Sequence, residues 1–321
     1  MELGVMANCF SDKSWEDACK AAKDAGLSAI EPGSGGFVGK AHCDPAALLK
    51  NHDAVREFKE TAEKNELKIS ALACHGNPLH PQKEISDEHT KDLEASIELA
   101  SMIGVGVINC FAGCPGAGED AKYPNWITCP WPTYFEEAVK WQWEKKVIPF
   151  WKKMAKKAKK VGIKFGLEMH PGDVVYNTEV LLKLREEVGA EEISCNFDPS
   201  HLFWQGMDPI VSMRYLGNAI VHVHAKDSKT NSSVVDFRGV NDWKHYRELA
   251  KRAWTFRTVG YGHGAEFWNN FVSTLRFIGY DGVISIEHED PLMSANEGLS
   301  KAIEFLGKVL IYEKPGEMWW A

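Results

Sequence analysis

Apolar runs of five to seven residues alternate with longer amphipathic segments eight times along the chain. That rhythm specifies strands that pair in parallel through right-handed helical crossovers. The predicted strands are Leu3–Ala7, Leu27–Glu31, Lys68–Ala73, Val105–Phe111, Ile163–Glu168, Ile193–Phe197, Ala219–Val223 and Gly282–Ile286. Predicted helices cover Trp15–Ala25, Asp53–Asn65, Ser86–Ile103, Tyr134–Val161 (interrupted or kinked at Pro149), Glu179–Val188, Pro209–Leu216, Trp243–Ala250, Phe267–Ile278 and Ser294–Ile311. The strand runs are continuously apolar, as a sheet covered on its outer face requires. A doubly wound sheet holding a dinucleotide would need a glycine-rich turn after strand one, and Asn8–Asp12 contains no glycine. The expectation is one (β/α)₈ TIM barrel spanning residues 1–321 as a single domain.

One connection breaks the rhythm. Between strand four and its helix lies Ala112–Thr133, rich in proline and carrying Tyr123, Trp126 and Trp131. Loops this long usually serve function, and these aromatics argue against disorder. Trp126 and Trp131 are placed to close over a substrate or to meet a partner.

The net charge is −8, from 37 basic and 45 acidic residues, which disfavours nucleic acid or an anionic membrane as partner. No secretory signal or membrane-length apolar run is visible, so a cytoplasmic protein is expected. The eight cysteines are dispersed without a paired CxxC array, as buried reduced thiols would be. The lysines of 145–160 fall at helical spacing and read as a solvated face.

The late strands all end on polar groups. Strand five ends GLE at Glu168, followed by Met and His170. Strand six runs into NFD at Asp198, with His201 three residues on. Strand seven runs into VHVH at His224, followed by Lys226 and Asp227, and strand eight into ISIE at Glu287. A carboxylate after an apolar strand is costly to desolvate unless something pairs with it. In a TIM barrel these ends meet at the face that carries active sites. Glu168, Asp198, His224 and Glu287 can therefore share one cation. Three carboxylates and an imidazole suit Mn²⁺ first, with Mg²⁺ or Co²⁺ also acceptable. Such a cation polarises a carbonyl, and a nearby carboxylate removes the adjacent proton.

Other polar residues join the candidate site. His75 and Asn77 follow strand three, and Asn109 lies at the end of strand four, where sugar hydroxyls could be met. The Gly260–Gly264 run offers backbone N–H groups for a phosphate, or is a plain flexible loop.

The segments GLEMHP, NFDPSH, VHVHAKD, FRTVGYGHG and ISIEHED, in this order, resemble the xylose isomerase-like TIM-barrel superfamily, specifically its sugar phosphate isomerase/epimerase members. The resemblance spans nearly the whole chain. It implies a metal-dependent enzyme acting on a ketose or related small sugar, often as a homo-oligomer. It gives Glu168, Asp198, His224 and Glu287 the metal, and Glu168 and Glu287 the proton exchange. His201 becomes a substrate-hydroxyl contact, and Arg257 a substrate-orienting group. The ketose 3-epimerases carry a further glutamate six residues after the first ligand, where this chain has Val174, and an arginine six after the histidine ligand, where it has Thr230. His170 and Lys226 are the alternative acid/base groups. Endonuclease IV-type DNA repair enzymes share the order of ligands but need an Asp-x-His pair, where this chain reads Arg257-Thr258-Val259. Three functions remain: an isomerase or epimerase; a lyase dehydrating a keto-sugar or keto-inositol or cleaving a 3-oxo-glycoside; or a non-catalytic sugar-binding protein.

Overall fold

The computed structural model describes residues 1–320. Its strands are β1 (Glu2–Met6), β2 (Ala29–Glu31), β3 (Gly33–Gly36), β4 (Lys68–Ile69), β5 (Leu72–His75), β6 (Val107–Cys110), β7 (Lys164–Glu168), β8 (Ile193–Phe197), β9 (Ile220–Ala225), β10 (Asp227–Thr230), β11 (Trp254–Arg257) and β12 (Val283–Ile286). Ten of them form one sheet in the order β3-β5-β6-β7-β8-β9-β12-β1-β2-β4. Every pairing in it is parallel. β2 and β3 are halves of one strand broken at Pro32, which has no N–H to give the ladder. β4 pairs with β2 and β5 with β3, so the two ends of the order close on each other. The result is the eight-position barrel of an α/β TIM fold, with helices outside.

The alternation along each strand explains what lies where. Phe165 meets Trp151 at 5.3 Å and Phe197 meets Phe271 at 6.0 Å, so these residues face the helices Ile148–Lys159 and Ala265–Phe277. The intervening Gly166, Glu168, Asn196, His222 and His224 therefore turn into the barrel. Gly166 is required there, because an added Cβ would fall on the Asn109 amide oxygen from the neighbouring strand. Outside, Trp151, Trp268, Phe165, Phe197 and Phe271 are the largest buried apolar side chains and join one continuous core.

Most elements follow the sequence pattern, and the departures have local causes. The helix expected to be interrupted or kinked at Pro149 is interrupted just before it, by a π-helical turn over Gln142–Val147, and resumes at Ile148. The segment Ala112–Thr133 carries no regular element, as expected. Strand seven runs two residues further than expected, so His224 lies within β9.

The helix expected over Trp243–Ala250 does not form. Asp242 accepts the backbone N–H groups of Lys244 and Ala253, and Arg252 donates to the Lys244 carbonyl, so side chains hold this backbone as a loop. The excursion after β9 instead contains a helix over Ser232–Arg238 and an antiparallel ribbon of β10 and β11. No helix among the described residues is long and apolar enough to cross a membrane.

Candidate active site

Four neighbouring strand ends converge at one mouth of the barrel. Glu168 closes β7, Asp198 follows β8, His224 lies in β9, and Glu287 follows β12. His224 Nδ1 is 3.1 Å from Glu287 Oε2 and 3.3 Å from Glu168 Oε2. Glu168 also meets His75 Nε2 at 3.1 Å, His201 Nε2 at 3.2 Å and the Asn196 amide at 3.2 Å. His201 Nε2 reaches Asp198 at 3.3 Å. Lys226 Nζ lies 3.3 Å from Asp198, 3.1 Å from Glu287 and 3.1 Å from Glu289. The structure thus brings Glu168, Asp198, His224, Glu287, His201, Lys226 and His75 into one buried cluster.

Charge in this cluster is arranged, not averaged. Burial raises the Glu168 carboxyl, but hydrogen bonds from His201, His224 and His75 overcome it and hold the group well below the usual carboxylate range. Glu287 is pushed up by burial too, and the Lys226 ammonium and His224 bring it down to about 2. For Asp198 burial wins over Lys226 and His201, and its carboxyl is raised. Burial disfavours the Lys226 ammonium, yet Glu287, Glu289 and Asp198 raise it well above its ordinary value. Lys226 is therefore an ammonium at neutral pH and not a base.

The donor set fits a divalent cation. Asp198 Oδ2 and Glu287 Oε2 are buried and have no hydrogen-bond partner, although cationic groups lie close but misaligned. Orphaned acceptors of this kind call for an explanation, and a cation supplies one. Glu168, His224 and Glu287 present donor atoms within 4.8 Å of one another, as do Glu168, Asp198 and His201. Oxygen-rich sites with one imidazole suit Mn²⁺, Mg²⁺, Co²⁺ or Zn²⁺ better than thiophilic ions.

Three interior residues were missed by reading only the late strands. Glu31 is fully buried at the end of β2, and both its oxygens lie 3.1 Å from His224 Nε2. It thereby fixes the proton on Nε2 and turns Nδ1 toward the cluster. Asn196 bridges Glu168 and His224, and its oxygen meets His222 Nδ1 at 3.2 Å. Burial lowers His222 to about 4, so it is neutral.

The remaining expected site residues border that cluster rather than share its ion pairs. Asn109 is fully buried; its Nδ2 donates to Glu31 at 2.8 Å, and its Oδ1 has no partner. Arg257 is held by Asp290, Nε to Oδ2 at 3.1 Å. His170 packs on His201 with ring centroids 4.4 Å apart, and burial, with His201 beside it, lowers it to about 3. His170, His201 and Trp126 line a cavity of about 450 Å³ beside the cluster. Trp131 is exposed.

The Gly260–Gly264 run is neither a phosphate cradle nor a loose loop. Its Gly260, Gly262 and His263 N–H groups all donate to Asp227 Oδ2, at 3.2, 3.1 and 2.8 Å. A buried carboxylate of the chain already fills the anion position. Replacing Gly262 with alanine drives a Cβ into Asp227 Oδ1 and the Ser228 carbonyl. The expected cost is about 3 kcal/mol, read as a lowered thermal midpoint; an unchanged midpoint would show that the loop yields.

The family described as "Xylose isomerase-like TIM barrel" matches residues 19–309. The chain belongs to that family. Within it, the Bacillus subtilis (strain 168) protein YfiH is 36% identical over 313 residues, covering 97% of this chain and 99% of that one. Inosose dehydratase 2 of Bacillus cereus is 27% identical over 177 residues, covering 54% of this chain and 56% of the enzyme. Among solved barrels, the IolI protein with a bound zinc atom superposes at a TM-score of 0.66 with 18% identity, covering 97% and 98% of the two chains. That likeness concerns the fold. Family membership and the cluster of carboxylates and histidines at the barrel mouth mark this as the candidate active site.

Proposed function

We propose that the protein is a divalent-metal-dependent isomerase or epimerase that removes a proton beside the carbonyl of a ketose or keto-sugar. The observation that carries this reading is the convergence of Glu168, Asp198, His224 and Glu287, two of whose buried oxygens lack hydrogen-bond partners. The cation, when bound by these four, supplies Lewis-acid polarisation of the substrate carbonyl. Mn²⁺ is the proposed occupant on ligand chemistry, with Mg²⁺, Co²⁺ and the zinc of the IolI structure as the other candidates.

The chain's own groups perform the rest. Glu168 and Glu287 reach the cluster from different strands and are both held ionised, so either can take the proton; for epimerisation the second carboxylate gains a proton from solvent and delivers it from the other direction, while the first releases its own to solvent. His201 is held against Glu168 and Asp198 and is placed to meet a substrate hydroxyl. Lys226 carries a fixed positive charge beside Glu287 and counters charge that develops on oxygen. His170 stands on the cavity wall as a neutral imidazole.

A lyase is the second reading, favoured by the likeness to inosose dehydratase 2. It shares the first step and differs in the bond broken next. Incubation with ketoses and 3-keto-glycosides in D₂O separates the two: deuterium beside the carbonyl without loss of mass indicates isomerisation, and loss of water or aglycone indicates a lyase. Chelation is expected to abolish either activity, and Mn²⁺ or Mg²⁺ to restore it. Full turnover after exhaustive chelation would sink the mechanism, and absence of exchange with every candidate would favour a sugar-binding protein.

A further inference from the structure

The cavity beside the acidic cluster extends well beyond it, and its outer wall is not made by the barrel. Trp204, after β8, stacks face to face on Trp254 with centroids 4.7 Å apart and planes at 5°. Trp243 and Tyr246 come from the excursion between β10 and β11, Trp254 opens β11, and Trp126 from the long loop after β6 joins the lining. Four tryptophans and a tyrosine thus surround a space of about 450 Å³ floored by His170 and His201.

This wall is held in place rather than draped. Arg252 is buried beneath it, with its guanidinium 4.2 Å from the Tyr246 ring and 4.8 Å from the Trp254 ring. It also donates to the Trp254 and Lys244 carbonyls. Asp242 ties the Ala253 N–H at 2.7 Å. Such fixing of a loop lowers the ordering cost of binding. Trp243 stays 93% exposed, an unusual place to leave the largest apolar side chain without a ligand.

Two further facts select the ligand's chemistry. No lysine or arginine lines the cavity, so nothing there recognises a phosphate. Thr128 and Asn241 stand among the aromatic rings of the lining, exposed polar side chains of the kind that meet hydroxyl groups.

We propose that this wall is a second subsite, which binds an uncharged sugar ring joined to the reacting keto-sugar through a glycosidic oxygen. The substrate is then a keto-glycoside of at least two rings, not a free or phosphorylated monosaccharide. The proposal rests on the keto-sugar reading above for its first ring, while the subsite itself rests on the wall. The C–H face of a pyranose lies flat on the exposed Trp243 indole, and its hydroxyls meet the Thr128 and Asn241 side chains. An aryl aglycone would stack as well but leave those polar groups unmet.

Tryptophan fluorescence of the metal-loaded protein tests this without any chemistry. It is titrated with glucose, with a panel of glucose disaccharides (cellobiose, maltose, trehalose) and with phenyl β-glucoside. At least one disaccharide is expected to bind about tenfold tighter than glucose, from one or two ring contacts. Trp243→Ala, at an exposed position that does not threaten folding, should collapse that margin. No disaccharide binding tighter than glucose, or an unchanged margin in Trp243→Ala, overturns the subsite. Phenyl β-glucoside binding tighter than every disaccharide overturns its assignment to a sugar ring. Deuterium uptake by keto-disaccharides and keto-glucose is read separately. A binding preference without uptake by any keto-sugar upholds the subsite and sinks the proposed chemistry; uptake without a preference does the reverse.

Discussion

Glu168→Gln is expected to lower proton exchange by about a thousandfold at saturating metal, while the barrel stays folded. Glutamine keeps the volume at a position only 3% exposed. It removes the charge, and with it the base. It also sets an amide donor where His75, His201 and Asn196 all approach carboxylate oxygens. Three neighbours can no longer all be met, so some orientation is lost besides the proton acceptor. Two measurements separate these effects. Bound metal, read by elemental analysis, reports the lost ligand; deuterium uptake with metal held in excess reports the lost base. Exchange within tenfold of the parent under excess metal would remove Glu168 from the base role and leave Glu287 as the group to test. The same substitution tests the order of the two glutamates. An epimerase that loses only one of them retains exchange in one direction of the reaction, whereas an enzyme with a single base loses both directions together.

The barrel was legible because each strand is buried on both faces and each helix on one, and those two burial patterns are written directly in residue order. Phe165 and Phe197 read as apolar positions in the sequence and are packed on Trp151 and Phe271 in the fold. The cluster at the barrel mouth was legible for a related reason. A charged residue ending an apolar strand stands out, and the fold brings neighbouring strand ends together. Glu31 obeys the same rule at the end of strand two, yet its partner His224 is 193 positions away and no local pattern joins them. The 231–257 excursion was misread because its conformation is set by Asp242 and Arg252 bonding to backbone, not by periodic burial. Trp243, Tyr246 and Trp254 therefore looked like parts of a helix and a loop. The glycine run 260–264 misled in the opposite sense: its N–H groups do surround an anion, but the anion is Asp227 of the same chain.

Glu31→Gln should weaken metal binding 10- to 100-fold or so, although Glu31 touches the far side of the imidazole from the cluster. Its carboxylate holds the His224 Nε2 proton with both oxygens and accepts the Asn109 amide at 2.8 Å. Burial raises this carboxyl, and His224 and His222 overcome that and keep it ionised. Glutamine keeps one acceptor oxygen and sets an NH₂ in place of the other, although both carboxylate oxygens face His224 Nε2. If the oxygen takes the place that also meets Asn109, the NH₂ points at the His224 N–H and drives that proton to Nδ1; if it takes the other place, the NH₂ faces the Asn109 NH₂. The first outcome puts a proton on the nitrogen that a bound cation would need. The loss of a buried charge beside His224 also costs stability, by about 3 kcal/mol. Affinity and stability are read by different experiments, chelator competition for the first and thermal unfolding of the metal-free protein for the second. A lowered midpoint with unchanged metal affinity would reduce Glu31 to packing. A weakened affinity that Asn109→Ala does not reproduce would assign the effect to the charge facing His224 and not to the shape of the barrel floor.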